Sequence, residues 1–168
     1  MHTERSDFIK IKGKFMIIAS SLFILTVIFG IYISDWKNPE DIISIEIETE
    51  DPLFMEHDGY IIDFSRNTFT HNDFKSDLEK ITAISDDDKK DFVRKTNICG
   101  FFGWKECYEP IWENECGGSY SDFLITYTDS SQQKIYCSDE YPITYYKFWD
   151  AVRNTFGDCL VQEDDYEN

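Results

Sequence analysis

The chain has 168 residues and a formal net charge of −17 at pH 7, with 33 Asp and Glu against 16 Lys and Arg. This length fits one domain, and 14 Phe, 10 Tyr and 4 Trp supply a core, which excludes a wholly disordered chain. So negative a surface repels phosphate, which excludes nucleic acid and favours a basic protein, a cationic cell-wall polymer or a divalent cation. Solubility alone is the simpler interpretation of this acidity.

The first predicted element is a transmembrane helix of 19 uncharged residues that begins at Phe15 and ends at Ile33. A helix of this length spans about 28 Å, close to the thickness of the hydrocarbon core of a bilayer. A cleaved signal peptide is disfavoured because bulky Ile31 and Tyr32 occupy the place where cleavage needs small residues. We therefore expect an uncleaved anchor that contacts the lipid bilayer.

The charges around this run predict its orientation. The leader, residues 1–14, holds four Lys and Arg against two Asp and Glu, a net charge of +2. The rest of the chain holds 12 Lys and Arg against 31 Asp and Glu, a net charge of −19. Because cations are retained on the cytoplasmic side, we expect a single-pass protein of the cell membrane with a cytoplasmic leader and its C-terminal domain outside.

After a spacer at residues 34–40, the chain shows the patterns of several strands. Residues 41–50 alternate, with Ile45 and Ile47 on one face and Glu46 and Glu48 on the other, which predicts a half-buried strand with one wet face. Further strands are expected at residues 60–64 and 68–70, joined by a turn. The segment from Asn72 to Ile84 fits a helix or a strand, and we favour a strand.

Two helices and a hairpin complete the predicted domain at residues 41–160. Ser85 and three following Asp residues indicate a helix start, and this helix should run to about Asn97. Residues 120–128 and 133–138 predict a hairpin. Apolar residues follow Pro142 at helical spacing (Tyr145, Phe148, Trp149, Val152 and Phe156), and Gly157 occupies the C-cap position. Residues 161–168 form an acidic tail.

These elements predict an α+β fold class. About five short strands joined by short turns imply antiparallel pairing, and one or two helices should pack on the sheet. The complete expectation is an N-terminal transmembrane helix followed by a small antiparallel sheet packed by one or two helices.

Five cysteines, at positions 99, 107, 116, 137 and 159, all follow the predicted anchor, in a compartment that permits disulfides. Two bridges can be chosen in fifteen ways, so connectivity stays open. We favour Cys107 with Cys116 and Cys137 with Cys159, which leaves Cys99 spare. Zinc is disfavoured because no paired close spacing occurs, and no residue pattern marks one thiol as an activated nucleophile.

Residues 104–149 carry a recognisable order of aromatic and turn residues: Trp104, Tyr108, Gly118, Phe123, Ile125, Tyr127, Asp129, Lys134, Ile135, Tyr136, Ser138, Asp139, Glu140, Tyr141, Pro142 and Phe148. This order resembles a module of small uncharacterised proteins of low-GC Gram-positive bacteria, many of them membrane-anchored or exported. In that module a Trp and a Tyr precede an Asp-Gly turn, two short strands, a Gly-Ser-Asn-x-Tyr-Pro segment and an aromatic helix.

The chain departs from this module at three places. Cys116 and the two following glycines replace the Asp-Gly turn, Cys137 replaces a Gly, and Asp139 replaces an Asn. The two departures to Cys imply a disulfide between Cys116 and Cys137. We favour this pairing and that of Cys107 with Cys116 equally. The resemblance implies a shared architecture and no known activity.

Function is predicted by exclusion and by surface character. None of the common nucleophile, metalloprotease, phosphate-loop or dinucleotide motifs occurs, so we expect no enzyme and no cofactor. Acidic residues 86–88 and 46–51 suggest calcium, but neither run has the ligand spacing of a tight calcium loop. We expect a non-catalytic surface module that binds a basic protein or a cell-wall partner. The alternative is a self-protection protein that neutralises a basic toxin.

Two tryptophans are candidates for the contact with this partner. Trp104 and Trp112 lie in the Gly-containing segment between Cys99 and Gly118. Trp is enriched among the residues that dominate binding energy in protein interfaces. A position in the core is the alternative for both.

Overall fold

The computed structural model describes residues 36–51, 56–109 and 118–160, in which seven strands form one sheet and two α-helices pack on it. In chain order the strands and α-helices are β1 (Ile42–Asp51), β2 (Glu56–Asp63), β3 (Thr68–Asp73), β4 (Leu78–Ala83), α1 (Asp86–Ile98), β5 (Cys107–Tyr108), β6 (Tyr120–Tyr127), β7 (Gln132–Ser138) and α2 (Tyr145–Phe156). Across the sheet the strands lie in the order β4-β3-β2-β1-β6-β7-β5.

The predicted fold class is wrong about the sheet, which is mixed. Strand β5 pairs parallel with β7, with Cys107 beside Tyr136, while the other neighbouring pairs are antiparallel. The chain leaves β4 at one edge, passes through α1 and reaches the opposite edge at β5. A strand of two residues is too short to show alternation, so no sequence pattern predicts this pairing.

The transmembrane part of the predicted fold class also requires correction. Within residues 36–51, 56–109 and 118–160, no helix has both the length and the apolar character needed to cross a bilayer. The predicted span from Phe15 to Ile33 lies outside the described residues. The orientation and location inferred from that span stay predictions.

Strands β2, β3 and β4 form a meander through two turns of the same design. The Asp63 carboxylate accepts from the backbone N–H groups of Ser65 at 2.9 Å and Arg66 at 2.8 Å, and Asn67 has a φ of 58°. Ten residues later the Asp73 carboxylate accepts from the backbone N–H groups of Lys75 and Ser76 in the same way, and Asp77 has a φ of 57°. Asp and Asn favour such turns because their side chains bond the local backbone and tolerate left-handed φ. The strand alternative for residues 72–84 is confirmed, with a turn inside it.

Both predicted helices are present, and the first begins where its sequence indicates. The Ser85 hydroxyl accepts from the backbone N–H of Asp88 at 3.1 Å, and the Asp88 carboxylate accepts from the Ser85 N–H at 2.9 Å. This capping box satisfies backbone donors that the helix itself leaves unpaired. Asp88 also has its pKa lowered, chiefly by the Ser85 hydroxyl.

The core lies between the two helices and one face of the sheet. Aromatic rings fill it. The ring centroids of Phe156 in α2 and Phe69 in β3 are 4.8 Å apart, and those of Phe148 in α2 and Phe123 in β6 are 5.4 Å apart. The isoleucines of β1 that alternate with its glutamates, Ile45 and Ile47, are buried on this face. The opposite face of the sheet carries the glutamates.

Candidate functional site

The face of the sheet opposite the helices presents charged and apolar side chains to solvent. Alternation along β1 puts Glu46, Glu48 and Glu50 there, and the register assigns the facing residues of the other strands to the same surface. We call this surface the open face, defined by Glu46, Glu48, Glu50, His57, Gly59, Ile61, Asn72, Phe74, Glu79, Ile81, Tyr120, Asp122, Leu124, Lys134 and Tyr136.

Negative charge dominates the open face. Of the described residues that define it, five carry carboxylates (Glu46, Glu48, Glu50, Glu79 and Asp122) and Lys134 carries an ammonium. The excess of negative charge lies at the centre of the sheet, because three of these carboxylates belong to β1, the middle strand of the seven.

Two of the carboxylates oppose each other across neighbouring strands. Glu48 of β1 and Asp122 of β6 are direct cross-strand partners. Partial burial, and next the Glu48 carboxylate, raise the pKa of Asp122, while Lys134 lowers it. Like charges in such a pair destabilise a sheet, so the fold alone does not favour this arrangement.

An apolar wall borders the carboxylates. Phe74 directly follows β3, in the turn to β4, and lies across the open face with 49% of its surface exposed. Its ring occupies the space over Gly59, because a Cβ at Gly59 would lie 2.9 Å from the Phe74 Cζ atom. The His57 ring centroid is 4.5 Å from that of Phe74. Ile81 of the edge strand β4 is 61% exposed and extends the apolar surface.

Between this wall and the carboxylates runs a groove of about 450 Å³. Its lining includes the carboxylates of Glu46, Glu48 and Asp122, the ammonium of Lys134, and the apolar side chains of Phe74 and Ile61. The groove therefore offers negative charge and apolar contact to the same ligand.

Glu48 is held in place by two neighbours. Its Oε1 atom lies 2.9 Å from His57 Nε2 and accepts a hydrogen bond from the Tyr120 hydroxyl at 3.2 Å. Burial raises the pKa of Tyr120, and Glu48 raises it further, so the phenol stays a neutral donor. Three strands thus fix the carboxylate at the centre of the open face.

The predicted contact tryptophans do not contribute to this surface. Trp104 is 7% exposed and packs between Phe123 and Phe148, with its Nε1 donating to the Thr144 hydroxyl at 3.1 Å. Its ring is therefore part of the core, which was the alternative for this residue. Trp112 lies outside the described residues.

The predicted disulfides require a correction. Cys99, Cys107, Cys137 and Cys159 are free thiols. Cys137 belongs to β7 beside the β5 edge, whereas Cys159 lies in a short 3-10 helix (Gly157–Cys159) that contacts β3 and β4 near the opposite edge. The sheet keeps these two thiols apart. Cys116, the shared member of the other two predicted pairs, lies outside the described residues.

Of the two acidic runs considered for calcium, the first is engaged in local contacts of α1 and the second lies extended along β1. Asp86 pairs with Lys89 at 2.6 Å, and Asp88 belongs to the capping box of α1. Glu46, Glu48 and Glu50 spread along β1 on the open face. In the part of the chain that the structure describes, no three His, Cys, Asp or Glu side chains are grouped to hold a metal ion.

The sequence pattern predicts the solvent-exposed face of β1 and does not predict the rest of the open face. The signal for Glu46 and Glu48 is strict alternation with isoleucine. Asp122 and Phe74 join them only through strand register and turn geometry, which no local pattern specifies.

Comparison of the chain with known protein families, with curated proteins and with solved structures finds no match. The resemblance to the small Gram-positive proteins stays a prediction.

Proposed function

We propose that this protein is a non-catalytic interaction module whose open face binds a basic protein. The observation that carries the proposal is the pairing of Glu48 with Asp122 at the centre of that face. A cross-strand pair of like charges destabilises the fold. A cationic partner would relieve the repulsion between the two carboxylates and be attracted by both.

The apolar part of the open face supports a protein partner over a simple polycation. Phe74 and Ile81 are exposed beside the carboxylates, at 49% and 61%. Exposed apolar side chains add affinity to a protein interface, while the charges steer association and select the partner. We therefore expect a partner surface that combines Lys and Arg with an apolar patch.

Nucleophilic chemistry at the Cys137 thiol has less support. Cys137 is completely buried, and burial raises the pKa of its thiol to about 12. A thiol in this environment is protonated at neutral pH and inaccessible to a substrate.

Neutralisation of a basic toxin would be one form of the proposed interaction. The same open face would then cover the cationic surface of the toxin. The carboxylates of the open face would attract such a toxin as they would any basic protein, so self-protection is the specific alternative within the proposed function.

Two triple variants of the full chain test the proposal. The first, Glu46→Gln with Glu48→Gln and Asp122→Asn, neutralises the open face. The control, Glu40→Gln with Asp87→Asn and Asp158→Asn, removes the same charge from exposed positions elsewhere. Fluorescence anisotropy with a labelled decalysine peptide measures the affinity of each.

We expect the open-face triple to lose about tenfold in affinity, because three exposed pairs contribute about 0.5 kcal/mol each. The control should lose much less, and the wild type should bind more weakly as salt increases. Equal losses in both triples would mean that net charge alone attracts the peptide, and the proposal would be wrong.

A further inference from the structure

A second cavity of about 400 Å³ lies where β1, β2 and β6 meet the first turns of α2. Aromatic side chains dominate its walls. We call it the aromatic pocket, lined by Tyr60, Tyr120, Tyr141, Tyr145, Tyr146 and Trp149.

The rings of the pocket form a connected set. Trp149 meets Tyr60 edge-on with their centroids 5.3 Å apart, and it meets Tyr145 edge-on at 6.2 Å. The centroids of Tyr141 and Tyr145 are 4.3 Å apart. Contacts of this kind fix ring orientation, since edge-to-face and offset geometries are favoured.

Hydrogen bonds to β6 and to the residue just before it hold two of these tyrosines in place. The Tyr145 hydroxyl lies 2.7 Å from the Ser121 hydroxyl, and the Tyr141 hydroxyl donates to the Ser119 carbonyl at 3.0 Å. Burial raises the pKa of Tyr141 to about 12 and also raises that of Tyr145, so both phenols are neutral at physiological pH. Neutral phenol rings have electron-rich faces that attract cations.

Carboxylates complete the pocket. Glu50 and Asp58 are among its lining residues. Asp58 accepts from the Tyr60 hydroxyl at 3.2 Å and lies 3.3 Å from His71 Nε2. Arg153 also lines the pocket, but its guanidinium pairs with Asp150 at 2.7 Å, which offsets its charge.

The aromatic pocket adjoins the open face. Tyr120 and Glu50 belong to both surfaces, and the Tyr120 hydroxyl donates to Glu48. A protein that covers the open face can therefore reach the pocket with one long side chain.

We propose that the aromatic pocket binds the guanidinium group of an Arg side chain from the basic partner. Aromatic walls and carboxylates together recognise organic cations, and guanidinium is the cation that stacks on rings as well as pairing with carboxylates. The inference rests on the proposed function, because the basic partner supplies the side chain. An anchored Arg is the kind of residue that dominates binding energy at an interface.

The test uses the full chain labelled with 5-fluorotryptophan and observed by fluorine NMR. Trp149→Phe identifies the Trp149 resonance. N-acetyl-arginine amide is titrated beside N-acetyl-citrulline amide, a neutral molecule of nearly the same shape. We expect a saturable shift of the Trp149 resonance with the arginine derivative, and about tenfold weaker binding of the citrulline derivative. Equal binding of both, or no saturable shift with either, would overturn the proposal.

Two further variants refine the test without threatening the core. Tyr146 is 75% exposed, so Tyr146→Leu should fold normally and lower the affinity for the arginine derivative about threefold. Glu50→Gln should lower it too, while the matched control Glu40→Gln should not. Unchanged affinity in both Tyr146→Leu and Glu50→Gln would contradict the assignment.

The open-face triple variant separates this inference from the proposed function. It should lose decalysine affinity and keep the response of Trp149 to the arginine derivative. Loss of decalysine binding without any wild-type response of Trp149 would disprove the pocket alone. The opposite result would disprove the proposed function alone: Trp149 responds normally to the arginine derivative, but the open-face triple variant loses no more decalysine affinity than its control.

Discussion

Replacing Asp122 by Asn should stabilise the fold, because Asp122 stands opposite Glu48 on the neighbouring strand. Partial burial first, and the Glu48 carboxylate second, raise the pKa of Asp122 above its ordinary value of 3.8. The folded protein therefore binds this proton more readily than the unfolded chain does. The carboxylate consequently destabilises the fold at neutral pH, and the penalty fades as pH falls through the folded pKa towards the unfolded pKa.

The expected gain is modest because Asp122 is an exposed residue. Cross-strand charge pairs contribute about 0.2–1 kcal/mol, so we expect Asp122→Asn to raise the free energy of unfolding by about 0.5 kcal/mol at neutral pH. For a domain of this size the melting temperature should rise by about 2 °C. The same variant should bind decalysine more weakly, since it removes one of the charges assigned to the partner.

Urea unfolding of the full chain at neutral and acidic pH measures this effect. The advantage of Asp122→Asn over the wild type should be present at neutral pH and lost well below the ordinary Asp pKa of 3.8. Asp158→Asn, which removes an equal charge from an exposed residue outside the sheet, should gain less. A destabilised Asp122→Asn protein, or an advantage independent of pH, would refute the reasoning.

Three other changes follow from the contacts. Ser85→Ala should lower the free energy of unfolding by about 1 kcal/mol in urea, because the hydroxyl that accepts from the first turn of α1 is lost; no change would show that the cap is dispensable. Asn97→Ala should cost about 2 kcal/mol in the same assay, since the buried amide both donates to and accepts from the Lys37 backbone, at 2.7 and 2.8 Å. Iodoacetamide should modify exposed Cys107 in the native protein and buried Cys137 only after unfolding, as read by peptide mass; the reverse order would contradict the placement of β5.

Features set by neighbours along the chain were predictable from the sequence. The alternation of Ile45 and Ile47 with Glu46 and Glu48 specifies both faces of β1, because successive strand residues point in opposite directions. Ser85 and the acids after it specify the start of α1 in the same local way.

Features set by strand register were not predictable. The Asp63 and Asp73 turns have the same design, yet Phe64 is 6% exposed while Phe74 is 49% exposed. Asp73 pairs with Asp58 on the helix-covered face, whereas Asp63 pairs with Ser44 on the open face. Because successive residues point to opposite faces, Phe64 turns into the core and Phe74 turns to the open face. The exposed ring of the candidate site depends on this difference.

Residue type alone also misassigned positions that tertiary packing decides. Trp104 fits a contact residue and a core residue equally well by composition, and the surrounding Phe rings place it in the core. Cys137 and Cys159 fit a disulfide by number, but the strand order places them near opposite edges of the sheet. Partners distant in the chain decide both outcomes.

Carboxyl footprinting tests the central claim most directly. A carbodiimide with glycine ethyl ester would label exposed carboxylates of the full chain, with and without saturating decalysine, and peptide mass would locate the labels. Binding at the open face predicts that Glu46, Glu48 and Asp122 are protected while Glu40 and Asp87 are labelled as before. Uniform protection of all five, or protection of Glu40 and Asp87 alone, would contradict an open face that binds a basic partner.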